Sequence, residues 1–153
     1  MSSIYYISPN DLLGLVLRLC VALIVGAIIG LERQLRNKPA GLRTHMLVSL
    51  GSALFVLIPL QIGITPDPDA LSRVIQGIAA GVGFLGAGEI LRASGDRSNG
   101  ELAEIRGLTS AAAVWVSAAL GVVAGCGLWQ LGLIGAIFAL VVLSLFKQVE
   151  RRI

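Results

Sequence analysis

The ionisable and hydroxyl side chains that fall inside or at the ends of long apolar runs are where this sequence could do chemistry. Arg18 stands six residues inside the run Leu12–Leu31, about 9 Å deep at the helical rise of about 1.5 Å per residue. Glu32 follows that run, Glu89 nears the end of the run Val74–Leu91, and Arg43 and Arg106 precede the next apolar runs. An ionised group near hydrocarbon is costly unless paired, so Arg18, Glu32, Arg43, Glu89 and Arg106 form a candidate charged cluster. His45, Ser49 and Ser52 recur at i, i+4 and i+7, one face of a helix. Thr109 and Ser110 open run four, with Ser117 two turns on, and extend the polar stripe. Such a set could line a cavity for an ion, a proton or a partner. It could equally be an ion-paired collar that ties helix ends together. Both readings predict that Glu32 or Glu89 approaches Arg43 or Arg106 from a different helix. Arg18 has its own pair of readings, snorkelling to the headgroups or pointing inward beside Ala22.

Other chemistries find little support. One His, two Cys and no paired acidic cluster leave no zinc site and no nucleophile–base arrangement, so an enzyme and a cofactor are not expected and no metal ligands are identified. Gly81–Gly86 matches the G-x-G-x-x-G dinucleotide pattern, but it lies inside an apolar run and is followed by Glu89, which would repel phosphate. Asp67 before Pro68 reads as a helix N-cap in preference to a cation site shared with Asp69. The net charge of +3 and pI near 9.3 could suggest nucleic acid. The distribution of the charge excludes that reading.

The elements that must position these residues are five apolar runs, Leu12–Leu31, His45–Ile62, Val74–Leu91, Leu108–Gly125 and Leu128–Phe146. A helix of such length spans about 27–30 Å, the hydrocarbon thickness of a bilayer. Arg33, Arg36, Lys38 and Arg43 separate runs one and two, Arg92, Arg97 and Arg106 separate three and four, and Lys147, Arg151 and Arg152 follow five. Only Arg73 marks the other side. Positive loops stay in the cytoplasm. The fold class expected is all-α: one membrane domain over 1–153, a bundle of five transmembrane helices with the N-terminus outside and the C-terminus cytoplasmic. The N-terminal segment lacks Lys, Arg and a cleavage site, so run one is expected to remain as a span. Tyr5, Tyr6 and Trp129 suit the outer interface. Cys20 and Cys126 are expected as two buried free thiols.

Packing is read from small residues, which let backbones approach. Gly26 and Gly30 follow Ala22 at four-residue steps in run one, Gly77, Gly81 and Gly88 share a face of run three, and Gly121 and Gly125 repeat in run four. Runs one, three and four are therefore expected to form the tight interior, with Gly81 in the closest contact. Run five, bulky on all sides, is expected against lipid. Connection four, Cys126-Gly127, forces runs four and five into an antiparallel hairpin. A weak echo between runs one and two and runs three and four suggests a parallel two-helix repeat.

These residues together resemble the MgtC/SapB family of bacterial inner-membrane proteins. The resemblance rests on Arg18-Leu19 through Ala22, Gly26 and Gly30-Leu31-Glu32-Arg33, and on Lys38-Pro39-Ala40-Gly41-Leu42-Arg43-Thr44-His45. It continues in Gly77-Ile78, in Gly83-Phe84-Leu85-Gly86-Ala87-Gly88, and in Arg106-Gly107-Leu108-Thr109 with Ala111-Ala112, Trp115 and Ala118-Ala119-Leu120-Gly121. It implies a five-span membrane domain. It also implies a link to growth under magnesium limitation and survival inside host phagocytes, with the virulence-associated member thought to act on the ATP synthase rather than to carry magnesium. The chain departs from the pattern at Glu89, where an apolar residue is usual, and in the longer loop Ala93–Ile105; the C-terminal domain of larger members is not expected here. Two functions remain in view. One is a non-enzymatic regulator of magnesium homeostasis or membrane energetics acting through another membrane protein. The other is a small Mg2+ or H+ transporter or channel working as an oligomer. The lipid bilayer, a second copy of the chain and a membrane protein are the partners considered.

Overall fold

The computed structural model describes residues 11–62, 68–94 and 107–150. They form five helices: α1 Leu12–Leu35, α2 Leu42–Ile62, α3 Pro68–Ser94, α4 Leu108–Gly125 and α5 Trp129–Glu150. Each corresponds to one apolar run. The helices outrun the hydrophobic stretches where charged flanks continue the backbone hydrogen bonding, as Glu32, Arg33 and Gln34 do in α1. Among the described residues, α1 to α4 are long and apolar enough to cross a membrane. The described apolar part of α5, Trp129–Ser144, falls short of that length.

Caps and turns follow local chemistry. Asp11 accepts a hydrogen bond from the Gly14 N–H at 2.8 Å and caps α1. At the other end Asn37 adopts φ 53°, and the Lys38 and Asn37 N–H groups return to the Arg33 and Gln34 carbonyls at 3.0 and 3.1 Å. This left-handed cap reverses the chain with Asn in place of the usual Gly. The Gln34 side chain accepts from the Leu42 N–H at 3.4 Å and so caps α2 from α1. Gly127, φ 77°, does for α4 what Asn37 does for α1. The Leu128 and Gly127 N–H groups bond the Val123 and Ala124 carbonyls at 3.0 and 2.9 Å, closing the expected α4–α5 hairpin. Pro68 is the first residue of α3; the cap assigned to Asp67, and Tyr5 and Tyr6, lie outside the described residues.

The tight interior is α1, α2 and α4, not α1, α3 and α4. A Cβ at Gly26 would stand 2.7 Å from the His45 carbonyl oxygen, and one at Gly30 would stand 2.8 Å from the Leu42 Cα. From the other side, a Cβ at Gly121 would overlap the Ser49 backbone, and one at Gly125 would stand 2.9 Å from the Ala53 carbonyl oxygen. So α2 is gripped between two glycine-bearing helices at backbone contact. Val25, Ile29, Ala113, Leu120 and Ala136 fill an adjoining core, through which α5 leans on α1 and α4. The rest of α5 largely carries exposed apolar side chains.

Of the four membrane-length helices, α3 is the least buried. Its expected contact face is open: Gly77, Gly81 and Gly88 have no atom within 4 Å of where a Cβ would sit. The packed line of α3 runs instead through Ile78, Val82 and Gly86. There a Gly86 Cβ would meet the Ala111 Cβ at an ordinary 3.4 Å. The reason is local composition. Small residues occupy most positions from Gly77 to Gly88, so their spacing selects no single face. The neighbour decides, and α4 presents Ala111, Val114 and Ala118 to the Val82 side. One thiol also departs from expectation: Cys126 is buried, but Cys20 is exposed on α1.

Candidate functional site

The bundle holds a set of buried polar side chains between α1, α2 and α4. Arg33, His45, Ser49, Ser52, Ser110 and Ser117 are all buried, His45, Ser49 and Ser117 completely. The Arg33 Nη2 donates to the Ser110 Oγ at 2.7 Å, tying the end of α1 to the start of α4. Ser49 Oγ donates to the Ala22 carbonyl at 2.7 Å, tying α2 to α1. Ser52 Oγ donates to the Val48 carbonyl of its own helix at 2.9 Å. His45 Nδ1 lies 2.9 Å from the Gly41 carbonyl, which can only accept. Nδ1 is therefore the donor in this contact. His45 Nε2, Ser117 Oγ and Arg33 Nε are buried with no hydrogen-bond partner among the described residues. Arg33 and His45 lie within electrostatic reach of each other and of Glu32 and Glu89.

The structure brings some of the expected cluster together and separates the rest. Glu32 is ion-paired within its own helix, with Arg33 Nη1 at 3.7 Å and with Arg36 one turn on, while both its oxygens are buried without a hydrogen-bond partner among the described residues. The expected partner from another helix, Arg43, is exposed on α2, and Thr109 is exposed on α4. Arg106 lies outside the described residues. Glu89 is partly buried, with its Oε1 enclosed and without a hydrogen-bond partner among the described residues. Arg18 donates to the Gly125 carbonyl at 2.9 Å, and its guanidinium lies against Gly127. Its role is to hold the C-terminal end of α4, where carbonyls lack intrahelical partners and the helix dipole favours a cation.

The residue that sequence reasoning undervalued is Arg33. It was one of several basic residues between runs one and two, yet it is 3% exposed. The signal was present in its spacing: Ala22, Gly26, Ile29 and Arg33 follow the three- and four-residue steps of one helix face. Arg33 thus continues the inward stripe, and its long stem reaches Ser110.

The arrangement is matched by known proteins. The MgtC family model matches residues 19–152. Protein SrpB of Synechococcus elongatus is 51% identical over 152 residues, covering 97% of this chain and 84% of SrpB. YhiD of Escherichia coli K12 is 40% identical over 148 residues, 90% of this chain and 63% of YhiD. Protein MgtC of Salmonella typhimurium is 40% identical over 138 residues, 90% of this chain and 54% of that protein. The chain therefore spans little more than half the length of MgtC. No solved structure matches. With its membrane-length helices and these matches, the chain is a multi-pass protein of the bacterial inner membrane that belongs to the MgtC family.

Proposed function

We propose that the chain is a non-enzymatic inner-membrane protein of magnesium homeostasis or membrane energetics that acts through another membrane protein and does not itself carry an ion. The observation that supports this is the closure of the trio. Gly26, Gly30, Gly121 and Gly125 place three helix backbones in contact along the line where a path through one chain would run. Three of the six buried polar residues there are used for cross-helix ties, Arg33 to Ser110 and Ser49 to Ala22. In this reading five spans place the N-terminus outside and the C-terminus inside, in keeping with ten Lys and Arg on the inner side and Arg73 alone on the outer.

Transport by an oligomer is the second reading. What favours it is that His45 Nε2 and Ser117 Oγ, both fully buried, keep unused hydrogen-bonding capacity among the described residues. A magnesium-transporter role is also what the full name of YhiD proposes for that protein. Purified protein in liposomes loaded with magnesium and proton indicators separates the two. The regulator reading expects no flux above empty liposomes, while the same protein expressed in a strain lacking the gene restores its growth in low magnesium. Flux that scales with protein and disappears in His45→Ala would overturn it.

A further inference from the structure

The open side of α3 adjoins two cavities that share Leu85 in their linings. The larger, about 660 Å3, is a groove between α2 and α3 lined among others by Leu47, Gly51, Phe55, Gly77 and Gly81. It exists because three of those residues have no side chain: Gly51, Gly77 and Gly81 each face open space where a Cβ would be. From Val74 to Leu85 the groove follows α3 for about 16 Å, close to half of a ~30 Å hydrocarbon core and so to the depth of one leaflet. A helix with side chains is about 10 Å across, so that length of helix would need roughly 1200 Å3. The groove is the size of an extended chain, not of a helix.

The second cavity, about 340 Å3, shares Leu85 with the first and lies beyond it toward the end of α3. It is lined by Thr44 and Glu89 as well as Pro39, Ala40 and Gly88. Glu89 is part of its lining, and one oxygen of that carboxylate, Oε1, is buried without a hydrogen-bond partner among the described residues. A carboxylate in the wall of a partly apolar cavity favours a cation that can donate a hydrogen bond. Arg43, exposed in the first turn of α2, precedes Leu47 by four residues and so shares the face that borders the groove. An apolar slot one leaflet deep thus borders a cavity lined by a carboxylate and a hydroxyl, with Arg43 on the adjoining face of α2.

We propose that these cavities bind one phospholipid carrying a primary ammonium headgroup. An acyl chain lies along Gly51, Gly77 and Gly81, the ammonium donates to Glu89, and the phosphate faces Arg43. This goes beyond the functional reading above and holds whether or not the chain carries an ion. The test is native mass spectrometry of the full chain released from mild detergent with phosphatidylethanolamine, phosphatidylcholine or phosphatidylglycerol of identical tails. Wild type should retain the ethanolamine lipid about fivefold better than the other two, the worth of roughly one favourable charged contact. Phosphatidylcholine is the informative control, because its quaternary ammonium cannot donate a hydrogen bond. Glu89→Gln should abolish the preference while still retaining lipid. Gly81→Leu should lower retention of all three, and the open space at Gly81 leaves room for the bundle to fold around it. If that variant does not fold, Gly77→Leu serves the same purpose. Equal retention of the three lipids by wild type would overturn the proposal. So would a preference for ethanolamine that survives Glu89→Gln, or a two-chain species that excludes lipid and is lost in Gly81→Leu.

Discussion

Gly26→Ala should be among the most damaging single-methyl changes in the bundle. The added Cβ would lie 2.9 Å from the Ser49 Cβ and 2.7 Å from the His45 carbonyl oxygen. Carbon pairs prefer about 3.5–4.0 Å, so α1 must retreat from α2 by about 0.6–1 Å. The opposing atoms at His45 and Met46 are backbone, which cannot rotate away. The retreat also lengthens the 2.7 Å bond from Ser49 Oγ to the Ala22 carbonyl, one turn from the insertion. Overpacking of about 1–3 kcal/mol and a weakened hydrogen bond of about 0.5–1.5 kcal/mol sum to roughly 2–4 kcal/mol of lost stability. Gly81→Ala is the matched control. Its Cβ meets nothing within 4 Å, and relief of the glycine entropy cost should make it neutral or stabilising by up to about 1 kcal/mol. Equilibrium unfolding of both variants in mixed detergent and sodium dodecyl sulfate micelles measures the difference. A Gly26→Ala variant as stable as wild type, or a Gly81→Ala variant equally damaged, would refute the assignment of α1, α2 and α4 as the closed trio.

Ser110→Ala should cost about 1–3 kcal/mol, because it leaves the buried Arg33 Nη2 without its acceptor. Combined with Arg33→Met it should cost clearly less than the sum of the two single changes; strict additivity in the same unfolding assay would mean the contact carries no energy. Arg18→Met should destabilise by about 1–2 kcal/mol through loss of the tie to Gly125 and the favourable charge at the end of α4. Its signature is faster amide exchange in the turn Cys126–Leu128 than at the α1–α2 turn, and uniform acceleration would point to general loosening instead. For topology, in a Cys20→Ser background, Ser72→Cys should react with an impermeant maleimide in intact spheroplasts, and Asn37→Cys only after permeabilisation. The reverse pattern would invert the assigned orientation.

Most of the fold was legible because bilayer thickness imposes a length that composition reveals directly. Each of the five runs became a helix, and a two-residue connection at Cys126-Gly127 could only be a hairpin. The polar stripe was legible as a face, since His45, Ser49 and Ser52 repeat with helical spacing and all three are buried. What spacing did not carry was the identity of the partner. Glu32 and Arg43 stand on opposite sides of one short connection, which suggests a pair. Yet the i+1 and i+4 neighbours Arg33 and Arg36 reach Glu32 within its own helix. Arg33 was hidden by its neighbours in a basic stretch, where the sequence shows one charge pattern and the fold buries a single member of it.

The glycines show why the interior could not be assigned from small residues alone. A missing side chain has two opposite uses: it lets another backbone come into contact, or it leaves a space. Gly26, Gly30, Gly121 and Gly125 serve the first, and Gly51, Gly77, Gly81 and Gly88 serve the second. Both groups contain members at four-residue steps, so periodicity treats them alike. The distinction lies in the facing helix. Opposite Gly26 and Gly121 stand His45 and Ser49 of α2, whose Nδ1 and Oγ are engaged locally and with α1 and whose backbone is approached directly. Beside Gly51, Gly77 and Gly81 stand bulky Leu47, Phe55, Ile78 and Leu85, which line the groove between α2 and α3. A closed trio on one side and a held-open helix on the other follow from what each glycine faces. That division gives the bundle one side closed at backbone contact and one side left open as a groove.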